Sequence, residues 1–143
     1  LKEVQSRYSI YLDNYIKSAN IEAETLLMIA KKQILPVVMD WQAKLALELF
    51  NIKAISVEAA ATHQKMFDMV SEYLAGLEEN IEKLRFSKGI AGQTRDIKKQ
   101  GILFRDQVRV AMAGLREVID KLEVFMPREL WPFPTYADIL FYQ

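Results

Sequence analysis

Apolar residues recur along this chain at helical spacing in three long stretches. In the first, from about Glu3 to Leu35, they return every three or four positions, which lines one face of an α-helix. Pro36 should interrupt this helix, because proline removes a backbone hydrogen bond and clashes with the preceding turn. The pattern resumes in phase afterwards, which favours one helix kinked at Pro36, although a break with a corner there remains an alternative. The apolar positions are Val4, Tyr8, Tyr11, Tyr15, Ala19, Ala23, Leu26, Ala30, Ile34, Val38, Trp41, Leu45, Leu49 and Ile52.

The second stretch predicts a helix that runs from an N-cap at Ser56 to about Ser87. Glu58 would lie in its first turn, where negative charge is favourable. Gly89 and Gly92 are expected to bracket the turn that follows. The apolar stripe of this helix has a near-heptad spacing: Ala60, His63, Phe67, Val70, Leu74, Leu77, Ile81 and Leu84.

The third stretch predicts a helix capped by Thr94, with Asp96 near its positive end. Its stripe is the most regular of the three: Phe104, Val108, Ala111, Leu115, Val118, Leu122 and Phe125. Two helices of similar length joined by a short glycine-containing turn should pair antiparallel. We therefore expect an all-α fold in which residues 1–126 form a long antiparallel bundle of three or four helices. At 1.5 Å per residue the first helix would reach about 75–80 Å, so part of it must project, fold back at Pro36 or pack on something else.

The last 17 residues, 127–143, form a tail rich in proline and aromatic side chains. Residues before proline avoid helical geometry, so Trp131 and Phe133 should be extended, while Thr135 and Asp138 suggest one final capped turn. So many large apolar side chains need a surface to bury against, either on the bundle or outside it. The candidate packing or interface residues are Trp131, Phe133, Tyr136, Ile139, Leu140 and Phe141.

Composition and charge argue against several classes of function. Lys and Arg total 19, as do Asp and Glu, so no general positive field favours nucleic acid or an anionic membrane. There is no cysteine and no run of 18 apolar residues, which excludes thiolate chemistry and a bilayer-spanning helix. The single histidine, His63, lies on an apolar stripe and is interpreted as a core residue, since a structural zinc site needs about four ligands. We predict no catalytic, cofactor-binding or metal-binding residue in this chain.

One segment has a local excess of positive charge, which could hold an anion beside the start of the third helix. The simpler interpretation is favoured: cations stabilise a helix C-terminus, and the others are solvated. The basic residues are Lys83, Arg85, Lys88, Arg95, Lys98 and Lys99, against Asp96 alone.

Three segments of the chain resemble the C-terminal part of type III glutamine synthetases. The tail ELWPFPTYADILF is similar to the terminal signature of that family, a Trp-Pro-x-Pro-[Ser/Thr]-Tyr run followed by apolar residues. The segment FRDQVRVAMAGLREVIDKLE resembles its last long helix, with Phe104 in place of the usual tyrosine and Val110 in place of a proline. RYSIYLDNYIKSANIEAETLLMIAKKQILP resembles the segment where the catalytic domain gives way to the C-terminal helices.

The resemblance implies a longer parent enzyme that joins ammonia to glutamate with ATP and Mg²⁺ or Mn²⁺. Such enzymes are cytoplasmic, are best known from bacteria and form large homo-oligomers of stacked hexameric rings. The partners implied are an upstream catalytic domain and neighbouring subunits. No position here matches the family's metal, ammonia or nucleotide contacts, so the chain is expected to be a structural and oligomerisation element without activity of its own. The alternatives are a free-standing helical protein-interaction module and a small bundle enzyme.

Overall fold

The computed structural model describes residues 2–134 and residue 139. Within this part of the chain there is no β-strand, and 88% of the residues are helical. The predicted all-α class is therefore confirmed. Five α-helices, two π-helical turns and one 3₁₀ turn follow one another: α1 (Lys2–Ile29), a first π-turn (Ala30–Ile34), α2 (Leu35–Lys53), α3 (Ala61–Gln93), α4 (Ile97–Leu103), a second π-turn (Phe104–Val108), α5 (Arg109–Phe125) and the 3₁₀ turn (Arg128–Leu130).

Helix α1, the first π-turn and α2 form one uninterrupted helical run through Pro36. The Leu35 N–H donates to the Ala30 carbonyl, five residues earlier, instead of four as in an α-helix. This wider turn lies directly before Pro36, which occupies the first turn of α2, where a missing N–H costs little. The continuous helix, and not the corner, is thus the observed outcome at this position.

The pairs of residues in contact show how the three helical runs are directed. Between α1–α2 and α3, the pairs Glu24–Lys88 and Gln42–Ser71 run in opposite order along the two helices, so these helices are antiparallel. The pairs between α1–α2 and α4–α5, such as Tyr15–Arg109 and Trp41–Phe125, run in the same order, so these two are parallel. Helix α3 therefore runs opposite to both of its neighbours.

A single apolar cluster extends along the three runs, and its members occupy most of the predicted stripes. At each π-turn, three successive buried residues are four positions apart from one another. The extra residue that the turn contains keeps all three on the inner face of the helix. The second π-turn was not predicted. The most completely buried large side chains are Phe104, Ile34, Leu77, Leu84, Leu115, Leu122, Val38, Val70 and Val108.

Three predicted boundaries were wrong. Helix α3 continues through Gly89 and Gly92 to Gln93, so the glycines do not bracket a turn. The cap of the third helix is Asp96, whose carboxylate accepts from the N–H groups of Lys98 and Lys99.

The two residues predicted as N-caps, Thr94 and Ser56, have other roles. Thr94 ends α3, and its hydroxyl donates to the Ile90 carbonyl. The Ser56 hydroxyl accepts from the Ala59 N–H in the α2–α3 connection, and the helix itself begins at Ala61. Both hydroxyls thus satisfy backbone groups beside a helix, but neither is the N-cap that the sequence suggested.

Candidate functional site

The first part of the tail folds back onto the helices of the same chain. Trp131 is only 7% exposed and belongs to the apolar core, together with the buried Met126. Phe133 is half-buried, with its ring centroid 6.4 Å from that of Trp131 in an edge-to-face arrangement. The two rings border a groove between α1, the first π-turn and α5, lined also by Leu26, Ile29, Ile34, Arg116, Ile119, Asp120 and Glu123.

Of the other predicted tail residues, Ile139 is within the described part of the chain. Ile139 is helical and 68% exposed. Tyr136, Leu140 and Phe141 lie outside the described residues. The structure therefore gathers two of the six predicted packing residues into one site and leaves a third facing solvent.

An aromatic junction fixes the end of α5 between the other two helical runs. The Phe125 ring lies 5.1 Å from the Trp41 ring and 5.1 Å from the Tyr73 ring, tilted by nearly 60° to each. Tilted aromatic pairs at this distance are favourable beyond the area that they bury. This junction positions Met126 and the tail that follows it, and it was not predicted, because the register between distant helices cannot be read from spacing within each one.

The described residues do not converge on a metal site. Among residues 2–134 and 139, no group of three or more His, Asp or Glu side chains could hold a metal ion. His63 is partly buried, and its Nδ1 atom has no hydrogen-bond partner within that part of the chain. One imidazole without convergent carboxylates cannot bind a divalent ion together with phosphate, so no catalytic step is assigned to these residues.

The basic segment from Lys83 to Lys99 is largely balanced by acidic neighbours. Lys83 pairs with Glu79 and Arg85 with Glu82, while Lys88 reaches across to Glu24 on α1 at 2.7 Å. The helix N-terminus that could have bound an anion is already occupied by the Asp96 carboxylate. This arrangement supports the interpretation as helix-end and surface cations.

The first turns of α1 carry an exposed apolar surface that the sequence assigned to packing. Val4, Tyr8 and Tyr11 are all more than half exposed, although they continue the buried stripe of α1. A second exposed group lies at the opposite end, around the α2–α3 connection: Leu47, Phe50, Ile55 and Val57. In the described part of the chain, every helix is too short or too polar to cross a membrane.

Comparison with known proteins shows what this chain is similar to. Residues 1–53 match the family model for the glutamine synthetase C-terminal domain. Over 97% of its length, the chain is 24% identical to a glutamine synthetase of Bacteroides fragilis and 26% identical to a type-3 glutamine synthetase of Dictyostelium discoideum. It is 25% identical, over 98% of its length, to a glutamine synthetase of Butyrivibrio fibrisolvens.

The described residues define an all-helical region. The chain is thus similar to glutamine synthetases along nearly its whole length, in agreement with the resemblance that its sequence motifs predicted. It spans about a fifth of the length of the curated relatives that it matches.

Proposed function

We propose that this chain is the C-terminal structural and oligomerisation region of a type III glutamine synthetase. The observation that carries the proposal is the similarity to glutamine synthetases, including a type-3 enzyme, along nearly the whole chain. The parent would ligate ammonia to glutamate with ATP and Mg²⁺ or Mn²⁺, in the cytoplasm, as a large homo-oligomer. The metal and nucleotide would be bound by residues outside this chain, since the described residues offer no cluster of ligands.

The described packing supports a structural role. Three helical runs share one core and Trp131 lies in the groove between α1 and α5, which supports a region arranged as one long antiparallel bundle with a docked tail. Exposed apolar side chains at both ends, such as Tyr11 and Phe50, offer surfaces for a catalytic domain or neighbouring subunits. The same exposed surfaces suit the second candidate, a free-standing helical interaction module.

The coding sequence before Leu1 and the native mass of its product separate the two candidates. The synthetase proposal predicts an upstream β-rich catalytic domain and a native mass of many subunits. Deleting residues 127–143 from that longer protein should weaken the assembly or destabilise the subunit. An upstream region without a catalytic domain would favour the interaction module.

A further inference from the structure

The exposed surface at the start of α1 also includes part of α4. Helices α1 and α4–α5 are parallel, with Tyr15 beside Arg109. Leu12 packs on Gly101, so Ile102, the next residue of α4, lies near the level of Leu12, about one turn beyond Tyr8 on the neighbouring helix, and the Tyr8 and Ile102 side chains are both more than half exposed. Tyr11, at 71% exposure, lies one turn further along. We call Tyr8, Tyr11, Ile102 and Arg105 the Tyr8–Ile102 patch.

The backbone beneath this patch is held in place. Leu12 packs so closely on Gly101 that a Cβ atom added there would lie 2.5 Å from the Leu12 Cδ1 atom. The Tyr15 hydroxyl accepts a hydrogen bond of 3.1 Å from Arg109 Nε, and the guanidinium lies 5.3 Å from the centre of the Tyr15 ring. A partner would therefore meet aromatic side chains on a preorganised helix pair, which lowers the entropy lost on binding.

The charges within and below the patch are already balanced. Arg105 makes two hydrogen bonds with Asp106, of 2.6 and 3.0 Å. Arg109 lies 3.9 Å from Glu22. Cations paired in this way are poor ligands for phosphate groups, whereas tyrosine and arginine around an apolar centre are typical of protein–protein contacts.

We propose that the Tyr8–Ile102 patch is the docking surface for the part of the same polypeptide that precedes residue 1. This inference rests on the proposed function, in which the chain is joined to a longer synthetase. The curated relatives are about five times as long as this chain, since the match covers about a fifth of them.

The position of the patch favours this occupant over a second copy of the chain. Tyr11 lies only about 14 Å along α1 from the first residue of that helix, Lys2, so a segment joined there would meet the patch at high effective concentration. The exposed group around Phe50 is about 60 Å further along the same helix. The docked surface should offer apolar area to Tyr8 and Ile102, and carbonyl or carboxylate acceptors to the phenol groups.

Photocrosslinking of the full-length protein tests the proposal. The probe is the variant Tyr11→p-benzoylphenylalanine, and the control is Phe50→p-benzoylphenylalanine, an exposed aromatic position on the same helical run. After irradiation, the Tyr11 probe should give a product of single-chain mass on a denaturing gel, with mass spectrometry finding the link in a peptide before residue 1. The Phe50 probe should not label that peptide.

Three results would overturn the inference: a product of double mass from the Tyr11 probe, no crosslink from it, or the same peptide labelled from Phe50. Hydroxyl-radical footprinting of the unaltered full-length protein gives a second measurement, in which Tyr8 and Tyr11 should be oxidised several-fold more slowly than in the denatured protein. Equal oxidation rates would contradict the proposal. A glutamine-forming protein without the crosslink refutes only this inference, and an inactive protein with the crosslink refutes only the proposed function.

Discussion

The Leu12 side chain of α1 lies over Gly101 of α4 so closely that a Cβ atom added at Gly101 would collide with it. Gly89 is also within a helix, but an added Cβ would have nothing within 4 Å. Alanine is the better helix former by about 0.5–1 kcal/mol. Gly89→Ala should therefore raise the free energy of unfolding by about that amount, whereas Gly101→Ala should give no gain, because Leu12 must move.

A double-mutant cycle isolates this contact. In a Leu12→Ala background the obstruction is gone, and Gly101→Ala should then stabilise the chain by about 0.5–1 kcal/mol, as at Gly89. Urea denaturation of the original chain, the two single variants and the double variant measures the coupling. If Gly101→Ala is as stabilising in the original chain as in the Leu12→Ala background, the two helices are not in close contact here.

Trp131 should contribute strongly to the stability of this chain, because it is buried in the groove between α1 and α5. Trp131→Ala is expected to lower the free energy of unfolding by about 3–5 kcal/mol, the range for large buried aromatic side chains. Val124→Ala is the control, since Val124 is 89% exposed and should change stability by less than about 0.5 kcal/mol.

Removal of residues 127–143 should destabilise the chain at least as much as Trp131→Ala. Chemical denaturation followed by circular dichroism compares these proteins. A tail deletion that leaves the unfolding midpoint unchanged would show that the tail is not a packing element of this chain.

The π-turn before Pro36 should make this proline nearly neutral. A proline inside an α-helix costs about 3 kcal/mol relative to alanine, but Pro36 follows directly on a wider turn, in which the Leu35 N–H donates to the Ala30 carbonyl five residues earlier. Pro36→Ala should therefore change the free energy of unfolding by less than about 1 kcal/mol.

Proline at an exposed interior position of the same helix gives the comparison. Ala46→Pro should cost about 3 kcal/mol or more. If Pro36→Ala raised the free energy of unfolding by as much as Ala46→Pro lowers it, the conclusion would be that Pro36 strains the helix.

Asp96 caps the helical run from Ile97 to Phe125 and should make stability depend on acid pH. Hydrogen bonds from the Lys99 and Lys98 amides, the former being the larger effect, hold the pKa of the Asp96 carboxyl below its ordinary value. A carboxyl whose pKa is lower in the folded state stabilises fully above its unfolded pKa of about 3.9, and this contribution disappears as the pH falls through the folded pKa.

Asp96→Ala should lower the melting temperature by a few degrees at pH 7, and this difference should shrink below about pH 4. Asp96→Asn should keep most of the cap and lose the pH dependence. Thr94→Ala, which removes only the hydroxyl bonded to Ile90, is the control and should have a smaller effect at pH 7. A difference for Asp96→Ala that is the same at pH 3 and pH 7 would contradict this assignment.

The three helical runs could be predicted because each keeps its apolar positions on one face over many turns. Buried residues such as Val70, Leu77 and Leu115 lie where the spacing placed them. The positions of the turns were harder to predict. Gly89 and Gly92 cost helix propensity, but the packing of Leu84 and Ala91 on either side keeps α3 helical to Gln93.

Contacts between helices could not be predicted from spacing alone. The Trp41–Phe125–Tyr73 junction and the Leu12–Gly101 contact depend on how far each helix slides along the next. Tyr8 and Tyr11 show the same limit: they continue the buried stripe of α1 in sequence, yet they are exposed in the structure.

Glutamine formation by the full-length protein and by this chain alone tests the central claim most directly. Both are assayed with glutamate, ammonia, ATP and Mg²⁺ or Mn²⁺, with γ-glutamyl hydroxamate as the readout. The full-length protein should be active and the 143-residue chain should give no product above the blank, since its described residues hold no cluster for metal and phosphate. Activity of the chain alone that persists through re-purification, or a full-length protein that forms no glutamine, would contradict the account.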